Sequence, residues 1–155
     1  MLQSFTMPEI GSNFETDSRF PCGEWNGFWL QKGTYEGKQK MSLALTFTRG
    51  KITGEGKDII GEFSMRGRYD LSTGKVTIHK YYPQQHVLYE GWAEHGKGIW
   101  GVWTLPTGKD GFHLWPKSMR DPTTSVRQAA IKESAPLKEP AVLTEVTPAT
   151  VGKTP

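Results

Sequence analysis

The feature that most limits how this chain can fold is a strict alternation of side chains. In KMSLALTFT, Met41, Leu43, Leu45 and Phe47 fall on one side of an extended backbone, and Ser42, Ala44, Thr46 and Thr48 on the other. Successive side chains of a strand point to opposite faces, so a period of two marks a strand with one buried face. The alternation returns through Phe63, Met65, Gly67 and Tyr69, then through Val76, Ile78, Lys80 and Tyr82. It recurs in Val87, Tyr89 and Gly91, and again in Ile99, Gly101, Trp103 and Leu105.

Short reversals separate these runs: Arg49-Gly50, DLSTGK, PQQ, EHGK and TGKDG. Glycine and polar residues are what tight turns require. With GFWLQKGTYE before them, KITGEG between them and FHLWP after them, they make about eight short strands and no helix-length pattern. Strands joined to their neighbours by turns predict an all-β, up-and-down antiparallel sheet. Eight such strands suit a small closed barrel, which leaves no unpaired edge. Glycines inside the runs (Gly54, Gly56, Gly61, Gly67, Gly91, Gly101) fit closure, since a tightly coiled strand needs places where side chains would collide. A two-sheet β-sandwich is the alternative.

Composition sets the boundaries. All the tryptophans and tyrosines lie between Trp25 and Trp115, whereas residues 117–155 have no aromatic and five prolines. A segment that lean cannot bury enough apolar surface to offset its ordering entropy. The reading is an N-terminal arm (1–22), a barrel (23–116) and a disordered C-terminal tail (117–155). The tail carries a narrow helical stripe from Val126 to Glu133, and around DPTTSVR it offers a segment for a protein partner.

Several function classes find no support. The formal charge is +3, and no run of Lys and Arg forms a stripe along which phosphates would track, so nucleic acid is not expected. Cys22 is alone, which excludes an internal disulfide. The four histidines fall on separate strands and turns without ligand spacing, so no metal and no cofactor is expected. GEGKDIIG lacks the G-K-[ST] ending of a phosphate loop, and no G-x-S-x-G elbow occurs. Without a long apolar run or a leader pattern, a soluble cytoplasmic protein is the expectation, with no membrane contact.

Gly27-Phe28-Trp29, the following Tyr35 and TRGKITGEG resemble the first hairpins of calycin-type barrels, the group of lipocalins, fatty-acid-binding proteins and avidins. Avidins are the nearer likeness, since they too open on a G-x-W segment followed by a strand, a glycine turn and a T-G pair. G-x-G-x-D-x-x-G-x-F from Gly54 to Phe63, then the Lys80–Gly91 stretch and G-x-F-x-L-W-P-like FHLWP, are also similar to uncharacterised lipocalin-like domains. The resemblance covers about 24–116 and implies a barrel with a ligand inside it. It does not extend to biotin, because the Asn/Ser-rich ligand loop and spaced tryptophans of avidins have no clear counterpart.

The stretch KYYPQQHVLYEGW gives the candidate site. In phase with Val76 and Ile78, Lys80 and Tyr82 point inward near a strand end, and Val87 and Tyr89 share a face across the turn. Lys80, Tyr82 and Tyr89 are therefore expected at one mouth of the barrel, with His86 at the rim, Asp58 close enough to pair with Lys80, and Trp103 as a ligand wall. Apolar depth below a polar mouth suits a small, partly apolar ligand, carboxylate-bearing or aromatic. The leading reading is a non-catalytic binding barrel. The alternatives are a structural or protein-interaction barrel with a filled interior, its tail or outer face recruiting partners, and a small isomerase or cyclase using Glu55, Asp58, Glu62, His86 or Glu90. Apart from these, faces such as Trp92 and Trp100 offer a route to a homo-oligomer.

Overall fold

The computed structural model describes residues 13–124, so residues 1–12 and 125–155, including the Val126–Glu133 stripe and the last three residues of DPTTSVR, lie outside the described residues. Eight strands follow one another: β1 (Gly23–Trp29), β2 (Gln39–Thr48), β3 (Lys51–Lys57), β4 (Glu62–Tyr69), β5 (Lys75–Tyr82), β6 (Gln85–Glu94), β7 (Gly98–Leu105) and β8 (Gly108–Pro116). Each pairs antiparallel with the next, and β1 pairs with β8 to close the barrel. The sandwich alternative is therefore excluded. Every sheet edge is consumed by closure.

Alternation does the sorting. Met41, Leu43, Leu45 and Phe47 of β2 are buried while their neighbours face out, and the same holds for Phe63 and Met65 in β4 and for Val76, Ile78 and Lys80 in β5. Glycines stand where adjacent inner faces approach most closely. Gly91 and Gly101 oppose each other across β6 and β7, and a Cβ on Gly101 would lie 2.5 Å from the Gly91 Cα. Such a contact is far inside van der Waals range, so neither position admits a side chain unless the strands separate.

The opening strand differs from its expectation. GFWLQKGTYE does not run on as a strand; β1 starts earlier, at Gly23, and ends at Trp29. Beyond it Thr34 and Tyr35 donate their backbone N–H groups to the Gln31 carbonyl, and Gly33 and Gly37 take positive φ. This loop folds Tyr35 back edge-on against Trp29 at 5.2 Å between ring centroids.

The two ends of the barrel are built differently. At the end holding the β2–β3, β4–β5 and β6–β7 turns, residues 13–22 lie across the opening. Phe20 is fully buried, against Tyr69 at 4.6 Å and Phe47 at 5.3 Å. The Glu15 N–H donates to the Phe47 carbonyl (2.9 Å), the Tyr69 hydroxyl donates to Glu15 (2.6 Å), and Arg19 reaches the Leu71 carbonyl (2.8 Å). The sequence placed these residues in an arm outside the barrel; the described part of that arm is a stopper. Residues 13–22 hold two phenylalanines, Phe14 and Phe20, with only polar residues between them, so no periodicity marks Phe20 as the buried one.

Replacing Phe20 with Ala removes the stopper's one buried ring. Equilibrium urea unfolding should register a loss of about 3–5 kcal/mol, the usual cost of Phe→Ala in a core. Phe20→Leu should lose much less. Equal, small losses in both would show that the ring does not seal this end.

Candidate functional site

The opposite end carries the β1–β2 loop and the β3–β4, β5–β6 and β7–β8 turns. Its central piece is the β3–β4 turn, closed by reciprocal backbone hydrogen bonds between Asp58 and Gly61 (3.0 and 3.1 Å). Gly61 takes φ 145°, which the turn requires and glycine alone tolerates cheaply. Asp58 Oδ1 accepts the N–H groups of Ile60 (3.0 Å) and Gly61 (3.3 Å), and this local capping swings the second oxygen over the barrel mouth.

Two strands, β1 and β5, meet it there. Asp58 Oδ2 accepts from Lys80 Nζ at 2.6 Å, from the Tyr82 hydroxyl at 2.5 Å and from Trp29 Nε1 at 3.0 Å. Both partners of the ion pair are out of contact with water, with side chains 1% (Lys80) and 0% (Asp58) exposed. Lys80 also donates to the Tyr89 hydroxyl at 3.3 Å. Its ammonium sits within 4.2 Å of the Phe63 ring centroid, 4.9 Å of Tyr82 and 5.4 Å of Tyr89. Rings offer a desolvated cation their negative faces, which adds to the carboxylate's attraction.

The protonation states follow from these contacts. Burial alone would raise the Asp58 carboxyl, but the hydrogen bonds from Lys80, Tyr82 and Trp29 and the charge of Lys80 outweigh it and hold it below the usual carboxylate range. Burial lowers the Lys80 ammonium to about 8, and Asp58 opposes the fall, so the lysine stays charged at neutral pH. The Tyr82 hydroxyl is pushed up by burial and then by the charge it donates to, and Tyr89 likewise by burial first. Both stay protonated, Tyr82 donating to Asp58 and Tyr89 accepting from Lys80.

A cavity of about 40 Å³ opens beside this cluster, lined by Trp29, Gln31, Ile60, Tyr82, Gln85, Val87, Tyr89, Trp103 and Leu105. Trp103 forms one wall, its indole N–H bound to the Leu30 carbonyl at 2.7 Å. Lys80 does not line the space; it lies behind the tyrosines.

Of the six residues singled out from sequence, the barrel brings five together: Asp58, Lys80, Tyr82, Tyr89 and Trp103. His86 is the exception. It is exposed on the outer face, opposite Tyr81 and 5.3 Å from that ring, because it precedes the inward Val87 by one residue. Alternation thus overrules its closeness in sequence. Three lining residues were not foreseen. Gln31 lies in the β1–β2 loop, Ile60 in the β3–β4 turn, and Gln85 is the first residue of β6. Glu55, Glu62 and Glu90, grouped with Asp58 as possible acid–base residues, are exposed on the strands' outward positions. Trp92 and Trp100 are exposed as expected, paired across β6 and β7.

Comparison with family models, with curated proteins and with solved structures returns no match.

Removing either member of the buried pair strands the other. Asp58→Asn and Lys80→Met should each lose about 3–5 kcal/mol in urea unfolding at pH 7, and the double variant should lose less than the sum. Strict additivity would show that the two charges do not depend on each other.

Acid provides a separate check. A carboxyl whose folded pKa lies below its unfolded value of 3.8 contributes stability that is complete above that pH and decays as pH falls through the folded value. The stability gap between wild type and Asp58→Asn, measured from pH 6 to pH 2.5, should therefore hold steady to about 4 and then shrink. A gap that grows toward low pH would contradict this ionisation state.

Proposed function

We propose that this protein is a non-catalytic binding barrel for a small, partly apolar, uncharged ligand held in the mouth cavity. The observation that carries the reading is the cavity itself. Four aromatic side chains, Trp29, Tyr82, Tyr89 and Trp103, and the aliphatic Val87 and Leu105 surround it beside a fixed polar cluster. Apolar walls with a few convergent polar groups are what small-molecule sites share. The resemblance to lipocalins and avidins, barrels that carry ligands inside, supports the same reading.

Two physical limits define the ligand. A water needs about 10–15 Å³ of such space, so 40 Å³ takes only a few heavy atoms, or one end of a flat molecule whose remainder passes Gln31 and Gln85. Charge is the second limit. Lys80 already has a carboxylate at 2.6 Å, so an anionic ligand would have to displace Asp58 from five hydrogen bonds. That favours a neutral ligand over the carboxylate-bearing one expected from sequence. An aromatic or aliphatic body with one hydrogen-bonding group fits both limits.

A structural barrel is the second reading, favoured by how completely side chains fill the interior below Lys80, where Leu45, Phe47, Ile52, Ile78 and Leu114 are all essentially inaccessible.

The indole N–H signals of Trp29 and Trp103 report on the cavity directly. Titrating a panel of neutral fragment-sized aromatic compounds should shift both signals in an amide correlation spectrum of the wild type. Val87→Phe and Leu105→Phe, which fill the space, should abolish the shifts while leaving the rest of the spectrum dispersed. Silence across the panel, or shifts that survive both fillings, would overturn the binding reading and leave the filled barrel.

A further inference from the structure

The outer face of the barrel carries a charge cluster that the mouth site does not use. Lys51 of β3 stands directly opposite Arg68 of β4, and Arg66, two residues before Arg68, stands between Thr53 and His79 of the flanking strands. These side chains and Thr77 line one groove across β3, β4 and β5. Like charges placed directly opposite each other in a sheet are destabilising. Among the described residues no hydrogen bond or ion pair engages the side chains of Lys51, Arg66 or Arg68; the three ion pairs all lie elsewhere. Two carboxylates share the face: Glu55 opposite Ser64, diagonal to Arg66, and Glu90 opposite Thr77, which stands between it and Arg68; neither forms an ion pair with the cluster.

Aromatic rings adjoin the cations. His79, Tyr81 and His86 form a group with centroids 5.3–6.2 Å apart, and the Tyr81 and His86 planes differ by only 27°. Tyr81 is 39% exposed, and His79 Nδ1 is a buried ring nitrogen without a hydrogen-bond partner. Tyr81 follows His79 by two residues on β5, so the rings continue the same outward face that begins with Arg66. Three strands at about 4.8 Å spacing make the patch roughly 10 Å wide.

We propose that this face binds single-stranded nucleic acid, with phosphates over Lys51, Arg66 and Arg68 and a base against Tyr81 and its histidine neighbours. Cations explain only an anion, and an acidic peptide would satisfy them equally. The exposed rings at the end of the row distinguish the two, because a single strand presents phosphates and unpaired bases together. A duplex keeps its bases stacked and offers the rings nothing. The sequence argued against nucleic acid because no basic run exists along the chain; the β3–β4 register builds the cluster from residues far apart in it.

The test is fluorescence anisotropy of end-labelled dT and rA decamers with the full-length protein. At low salt, binding should fall in the micromolar range or weaker, as for contacts that do not read sequence, and log K should fall against log[salt] with a slope of about −2, from roughly 0.7 per neutralised phosphate and three cations. Arg66→Glu/Arg68→Glu should weaken binding at least tenfold with the thermal midpoint unchanged or raised. Tyr81→Ala should weaken it roughly fivefold to a hundredfold, the span of one stacked base. Polyglutamate should compete poorly. Absence of low-salt binding would overturn the proposal, as would indifference to the arginine pair. Equal affinity for duplex, heparin and single strand with no effect of Tyr81→Ala would make the face a general anion surface and overturn it too.

Discussion

The buried pair of Lys80 and Asp58 is the interaction on which the mouth of this barrel depends. An ammonium and a carboxylate withdrawn from water each lose several kcal/mol of hydration, and their attraction offsets this only when geometry is good and remaining hydrogen-bonding groups are satisfied. Here they are. The carboxylate takes donors from the β3–β4 turn, from β1 and from β5, so one side chain fixes three elements that the sheet ladder alone would leave independent at their ends. An apolar pair of the same volume would fill the space but would not orient the Tyr82 hydroxyl or the Trp29 indole. The pair is therefore better understood as setting the shape of the mouth than as adding to stability.

The plugged end uses the opposite chemistry. Phe20, Phe47 and Tyr69 close it with ring packing, and its polar contacts, such as Tyr69 to Glu15, lie at the periphery. Burial and that carboxylate together push the Tyr69 hydroxyl up to about 12. One end is thus sealed by apolar area and the other held partly open by a polar tie. A barrel closed by side chains at both ends would have no access route, and one open at both would bury too little around so small a core.

Much of this was legible in the sequence. Alternation and the turn residues between the runs are local signals, so the number and order of strands and the inward phase of Lys80, Tyr82 and Tyr89 could be read from them, but not the bounds of β1. Asp58 was recognisable as a partner because a lysine in phase with Val76 and Ile78 needs one. What could not be read depends on contacts between distant segments. Phe20 is one residue without a repeat, Gln31 and Ile60 reach the cavity through loops whose path no periodicity records, and Lys51 meets Arg68 only through register. His86 shows the converse error, in which nearness along the chain was taken for nearness in space although parity already pointed it outward.

Closure also bears on the chain's connectivity. Trp25 pairs with Pro116, and the Lys117 N–H donates to the Glu24 carbonyl, so the two ends of the strand series run side by side. With every strand joined directly to its neighbour, the strands form a ring in which none is topologically first. A circular permutant that tethers residue 117 to residue 13 and opens the chain in the exposed β6–β7 turn would keep every ladder. It would also keep the stopper next to β1, whereas opening within the β3–β4 turn would leave the ladders intact and dissolve the mouth.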